Sequence, residues 1–223
     1  GERAAAMLSR SGQDWGAVTI DGRDLSLSGT APTDGHRQMG VQAAGRTWGI
    51  RAVENSAEIL PVALPFVWTA ERLADGKVQL AGAVPYGEAR DRVAAAFAGA
   101  DIDVVDNAET AAGAPSIDGW IGAAEFSAHL LAGLAEGKAT IADREISVTG
   151  TARDAAHFSA MKEAVSGALP AGFTLRSAEI RPPRISPYTF AAERDGRALS
   201  LSGYLPTVEL GSTLRSAAAK HLP

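Results

Sequence analysis

The chain has 223 residues, 46% apolar and 6% aromatic, with a formal charge of −5 and no cysteine. Apolar content in the globular range excludes disorder as the default, and an acidic balance without a basic block excludes phosphate-neutralising nucleic-acid binding. The missing cysteine excludes disulfides, thiolate metal sites and cysteine nucleophiles.

No stretch reaches the ~18 uninterrupted apolar residues of a membrane-spanning helix, so no transmembrane segment is expected. The start, Gly1-Glu2-Arg3, lacks the pattern of a signal peptide. The natural polypeptide is expected to extend beyond both ends of this segment.

In chain order, Arg3–Arg10 reads as the end of a helix. Val18–Ile20 and Leu25-Ser-Leu-Ser-Gly29 alternate apolar and small or polar residues, the period of half-buried strands. Asp21-Gly22 between them is a strong hairpin signal. A helix follows, and Ile50–Ile59 closes the unit as a strand. The same order recurs three times. In the second unit Phe66–Ala70, the Asp75-Gly76 turn and Val78–Gly82 precede a helix with Ala89, Val93 and Phe97 at steps of four, then a strand over Ile102–Ala108. Ser116 is a plausible N-cap for a helix to about Ala135, with Ile117, Ile121, Ala124, Ala128 and Leu131 on one face.

The third unit has Ala139–Ile141, an Ala142-Asp143-Arg144 turn and Ile146–Gly150. Its helix carries Phe158, Met161, Val165 and Leu169, and its closing strand is Phe173–Ile180. The fourth has Tyr188–Ala192, Asp195-Gly196 and Leu199–Gly203, and stops before its closing strand. A helix between two strands is a crossover that sets those strands parallel. The expected fold is therefore α/β with mixed sheets. Its divisions are 1–62, 63–115, a linking helix over 116–136, 137–184 and 185–223.

These units are two duplicated pairs. Gly29, Gly82, Gly150 and Gly203 are spaced by 53, 68 and 53 residues, so each pair repeats after 121. At that offset residues 17–61 and 138–182 share 14 identities in 45 ungapped positions, among them Ser56-Ala-Glu-Ile59 with Ser177-Ala-Glu-Ile180. Chance does not produce such a match. The halves 17–110 and 138–223 are expected to superimpose, with hairpin turns at 21–22, 75–76 and 195–196.

The four glycines are expected to be structural, because a tight strand end needs positive φ or close backbone approach. His36 and His157 are equivalent under the offset and read best as capping or surface residues. Neither carries a cluster of further metal ligands. His129 and His221 support no nucleophile–base arrangement. Glu71-Arg72 and Glu193-Arg194 read as strand-end ion pairs. Gly119-Trp-Ile-Gly122 has the letters of a nucleic-acid-clamping GxxG loop but no flanking basic residues. No catalytic, cofactor or metal residue is assigned. Trp15, Trp48, Trp68 and Trp120 are candidate interfacial anchors, though with so few large side chains in the chain most of them are expected in the core or on a sheet face; Trp120, on its glycine-softened helix, is the leading one for membrane or partner contact.

A repeated α/β module with a glycine closing its second strand resembles the BON domain of bacterial envelope proteins. The tandem pattern, with Ser186-Pro-Tyr-Thr-Phe190 before Leu199-Ser-Leu-Ser-Gly-Tyr-Leu-Pro206, is similar to the N-terminal region of alphaproteobacterial OmpA-family proteins. The resemblance implies a periplasmic, non-enzymatic module that binds phospholipid or another envelope component. An OmpA-like peptidoglycan-binding domain usually follows, and none of its sequence is present here. The alternative is a scaffold or spacer that self-associates or binds a protein partner through sheet edges.

Overall fold

The computed structural model describes residues 2–183, 189–195, 198–205 and 208–221, in two compact units, 1–182 and 183–223. The fold is mixed α and β throughout, as expected.

The first module runs α1 (Glu2–Arg10), β1 (Gly16–Asp21), β2 (Asp24–Ala31), α2 (Asp34–Gly45), β3 (Ala52–Asn55) and β4 (Glu58–Ile59). β1 and β2 form an antiparallel hairpin from Gly16↔Gly29 to Asp21↔Asp24, and β2 pairs in parallel with β3 and β4. The turn residues are Gly22 and Arg23, one place later than expected, because Asp21 still pairs with Asp24 and Gly22 supplies φ +60°. The single strand expected over 50–59 is broken at Ser56-Ala57, where the Asn55 side chain accepts from the Ala57 N–H at 3.1 Å. Leu8, Leu25, Leu27 and Ala44 form the core, with Trp15, Val18 and Ile20 packed around it.

Next come β5 (Val67–Arg72), β6 (Val78–Val84), α3 (Ala89–Ala98) and β7 (Val104–Thr110). They are followed by α4 (Ile117–Ala132), β8 (Leu134–Ala142), β9 (Glu145–Ala152), α5 (Ala155–Ser166) and β10 (Thr174–Arg181). Both crossovers are parallel, β6 with β7 and β9 with β10. The two modules share one six-stranded sheet, ordered β10-β9-β8-β5-β6-β7. Its central joint is the antiparallel pair β5·β8, so sheet continuity crosses the boundary between the duplicated pairs.

Helix α4 occupies the position in its module that α1 occupies in the first. Ser116 caps it, accepting from the Gly119 N–H at 3.2 Å. It packs on β8, β5, β9 and α3, and Trp120, Ile121, Leu130 and Leu131 lie in a core common to both modules. The three stripe residues Ala89, Val93 and Phe97 are buried in the same core.

The β8–β9 turn is closed by Asp143 at φ +52°. Its N–H donates to the Phe66 carbonyl and its Oδ1 accepts from the Phe66 N–H, each at 2.9 Å. This turn therefore fixes the start of β5, 77 residues away in sequence.

Unit 183–223 contains β11 (Phe190–Asp195), β12 (Ala198–Gly203) and α6 (Val208–His221). β11 and β12 pair antiparallel from Phe190↔Gly203 to Asp195↔Ala198. The expected turn at 195–196 falls partly outside the described residues, as do Tyr188 and Pro223.

Candidate functional site

The module glycines share one geometry. A Cβ on Gly29, Gly82 or Gly203 would stand 2.3, 2.3 or 2.2 Å from the carbonyl oxygen of Trp15, Val67 or Thr189. In each case that oxygen belongs to the residue before the glycine's cross-strand partner. Their φ values are +116°, +91° and +104°. Gly150 lacks the positive φ but faces Gly137, and its Cβ would meet the Glu136 carbonyl at 2.6 Å. The glycines thus admit the backbone of the first strand. Three of the four strands do not end on them: β2, β6 and β9 each run on two residues, both of which pair with the closing strand in β2 and β6, and the first of which does so in β9.

His36 and His157 occupy the same place on α2 and α5. Each has its N–H bonded to the cap side chain, Thr33 at 3.3 Å or Asp154 at 2.9 Å, and its Nδ1 on that same cap at 2.8 or 2.7 Å. The hydrogen bonds from His157 hold the Asp154 carboxyl below its ordinary pKa. Capping accounts for the recurrence of both histidines. Glu71 pairs with Lys138 at 3.6 Å across the β5·β8 joint. Arg72 donates to the Leu131 carbonyl at 3.2 Å at the C-terminal end of α4, and burial with neighbouring Arg153 lowers its pKa. Gly119 and Gly122 lie within α4, not in a loop.

Trp120 does not present a surface. It is 0% exposed, edge-on to Trp68 at 5.5 Å and to Phe66 at 6.3 Å between ring centroids. An indole so enclosed meets a membrane only if α4 leaves the sheet. The anchor expected at Trp120 is a core residue in this structure.

The exposed indole is Trp48, 88% accessible, in the connection from α2 to β3. The Ile50 N–H donates to the Thr47 carbonyl at 3.2 Å, making a four-residue turn with Trp48 and Gly49 at its centre. Gly49 has φ +92°, the conformation a type II turn requires at its third position. The loop is tied to the first hairpin: Arg51 N–H donates to the Arg23 carbonyl at 2.7 Å, and Arg23 Nε to the Gly49 carbonyl at 3.2 Å. The same end of the module thus carries Trp48 together with Arg23 and Arg51, and Arg46 two residues before the indole is exposed as well. Asp24 engages Arg51 through two bonds, at 3.0 and 2.5 Å.

A cleft of about 650 Å³ between the first two modules is lined by Trp15, His36, Leu60, Tyr86 and others, with His36 edge-on to Tyr86 at 5.9 Å. Arg90 on its wall is held by Asp106 and the Ala108 carbonyl. Among the described residues no group of three potential metal ligands occurs, and no helix is long and apolar enough to cross a membrane.

Residues 5–61 match the family described as BON domain, a stretch that covers the first module, including the Trp48 loop, from within α1 to just past β4. No curated protein matches the chain in sequence. Among solved structures, the C-terminal domain of CdsD, a structural protein of the type III secretion system of Chlamydia trachomatis, is 11% identical. The match covers 82% of this chain and 96% of that one, with a TM-score of 0.26. A second CdsD structure is 12% identical over 81% and 91% of the two chains, with a TM-score of 0.27. Neither likeness is close enough to transfer a role.

Proposed function

We propose that this chain is a tandem array of BON-like modules that binds the bacterial cell envelope from the periplasmic side, as a non-catalytic ligand of phospholipid or another envelope component. The BON match in the first module extends by the internal repeat to the third, which shares its hairpin, capped helix and parallel closing strand. OmpA-family proteins are the expected setting for such an array.

The observation that carries the reading is Trp48. A large apolar ring 88% exposed in a loop that also carries the exposed Arg46 and Arg51 suits a boundary between apolar and wet surroundings. Burying an indole removes ~150–250 Å² from water, worth about 4–6 kcal/mol before the cost of association. Even the lower of these figures, kept whole, would correspond to a Kd of only about 1 mM. One such loop therefore gives weak, reversible attachment, and useful avidity requires several in one assembly.

Flotation of the full chain with phosphatidylethanolamine–phosphatidylglycerol vesicles tests this. The wild type should rise with the vesicles, and Trp48→Ala should lower the bound fraction severalfold while leaving far-UV circular dichroism unchanged. Apolar burial is not screened by salt, so most of the binding should persist at physiological ionic strength. Trp48→Ala floating like wild type, or wild type unbound to vesicles of every headgroup tried, would leave the scaffold as the better reading. That second reading is favoured by β11, which is exposed at every residue.

A further inference from the structure

The joint between the two middle modules shows how modules of this chain connect. β5 and β8 are each the first strand of a hairpin, and they pair antiparallel from Val67↔Ala142 to Arg72↔Gly137. On the core face Trp68 lies opposite Ile141 and Ala70 opposite Ala139, all 0% exposed.

Both partners of this joint recur elsewhere in the chain. Residues 66–72, Phe-Val-Trp-Thr-Ala-Glu-Arg, return at 188–194 as Tyr-Thr-Phe-Ala-Ala-Glu-Arg. Residues 138–142, Lys-Ala-Thr-Ile-Ala, return at 17–21 as Ala-Val-Thr-Ile-Asp. The structural registers agree, since Phe190 pairs with Gly203 as Trp68 pairs with Gly82. β11 is thus the counterpart of β5, and β1 the counterpart of β8.

What differs is the covering. β11 pairs only with β12 among the described residues, every one of its residues is exposed, and Phe190 is 43% accessible where Trp68 is 0%. Among the described residues β1 likewise pairs only with β2, and no strand is paired to its other edge. β1 carries no proline and only Asp21, at its end, as a charge, so it lacks the usual devices that block edge pairing.

We propose that β1 of one copy docks antiparallel on β11 of a second copy, reproducing the β5·β8 joint between molecules. In that register Ile20 lies opposite Phe190, Thr19 opposite Ala191 and Val18 opposite Ala192. The contact uses two different edges, so each docked pair keeps one free β1 and one free β11. Such heterologous contacts continue into rings or open chains. The assembly would gather many Trp48 loops into one particle, although it stands whether or not those loops touch lipid.

The absence of native cysteine makes a clean test. Thr19→Cys and Ala191→Cys are made singly and together in the full chain, and treated with a short bis-maleimide that spans the ~4.5–5.5 Å between paired Cβ atoms. Both positions are exposed, so the variants should fold. The double variant should give a ladder of dimer, trimer and higher species. Each single variant should stay monomeric, and an equimolar mixture of the two singles should stop at dimer. Adding Phe190→Asp to the double variant should remove the ladder. Monomer in every lane, an internally cross-linked monomer, or dimers from either single variant alone would overturn the proposal.

Discussion

Replacing Gly82 with alanine separates two costs that the β6 backbone imposes at one position. The added Cβ would sit 2.3 Å from the Val67 carbonyl oxygen and 3.1 Å from the Trp68 Cα, both backbone atoms of the central strand β5. Neither moves without disturbing the β5·β8 joint. The residue must also hold φ +91°. An L-residue kept in such a region costs about 1–3 kcal/mol, and forcing extra volume into a packed strand pair adds about 1–3 kcal/mol. The expected loss is therefore ~2–6 kcal/mol. Gly76 provides the comparison: its φ is +88°, but nothing stands within 4 Å of its would-be Cβ, so alanine there should cost only ~1–3 kcal/mol. At Gly122, within α4 and with Pro170 at an ordinary 3.8 Å, alanine should stabilise by up to ~1 kcal/mol. Urea midpoints at constant m-value measure all three. Equal losses at Gly82 and Gly76 would refute the close-approach argument and leave backbone conformation as the whole effect.

Trp120→Ala should destabilise by about 3–5 kcal/mol as a buried aromatic truncation, whereas Trp48→Ala should leave the urea midpoint within ~0.5 kcal/mol of wild type. Asp143→Ala should cost ~1–3 kcal/mol by orphaning the Phe66 N–H and straining the turn, while Asp143→Asn, which keeps the acceptor, should be nearly neutral by the same denaturation assay. Asp154 has a folded-state pKa below its unfolded value, so its stabilising contribution is complete above about pH 4 and is lost as pH falls through the folded value. The difference in thermal midpoint between wild type and Asp154→Ala should accordingly shrink on acidification below pH 4. A difference that widens there would contradict the cap geometry.

Most of the local fold is legible in the sequence because its signals are local. The alternation around Leu25 and Leu27 gives a strand, the four-residue spacing of Ala89, Val93 and Phe97 gives a buried helix face, and Ser116 marks a helix start where one is found. The hairpin at Gly22-Arg23 is displaced by one residue because Asp21 and Asp24 still pair. The β5·β8 joint is another matter. It is made of backbone hydrogen bonds between residues some 70 apart, and no residue type specifies which open edge meets which. Trp120 is misplaced for a different reason. Asp118, Gly122, Glu125 and His129 recur at steps of four, three and four and form the outward stripe of α4, so Trp120, on the opposite face, points inward; the glycines on either side of it obscure that pattern. The signal for Trp48 was nevertheless present: an indole followed by glycine and set between Arg46 and Arg51 describes a turn rather than a core position.

The most direct test of the envelope reading is quenching of tryptophan fluorescence by vesicles whose acyl chains are brominated near the headgroup. Trp68 and Trp120 are fully enclosed and Trp15 is half-buried, so contact at the module end should register through Trp48. Wild type should show a blue shift and quenching that saturate with lipid, and Trp48→Phe should lose most of both signals while remaining folded. Quenching undiminished in Trp48→Phe would place the contact elsewhere in the chain, and no quenching of the wild type by any vesicle would contradict membrane contact at Trp48.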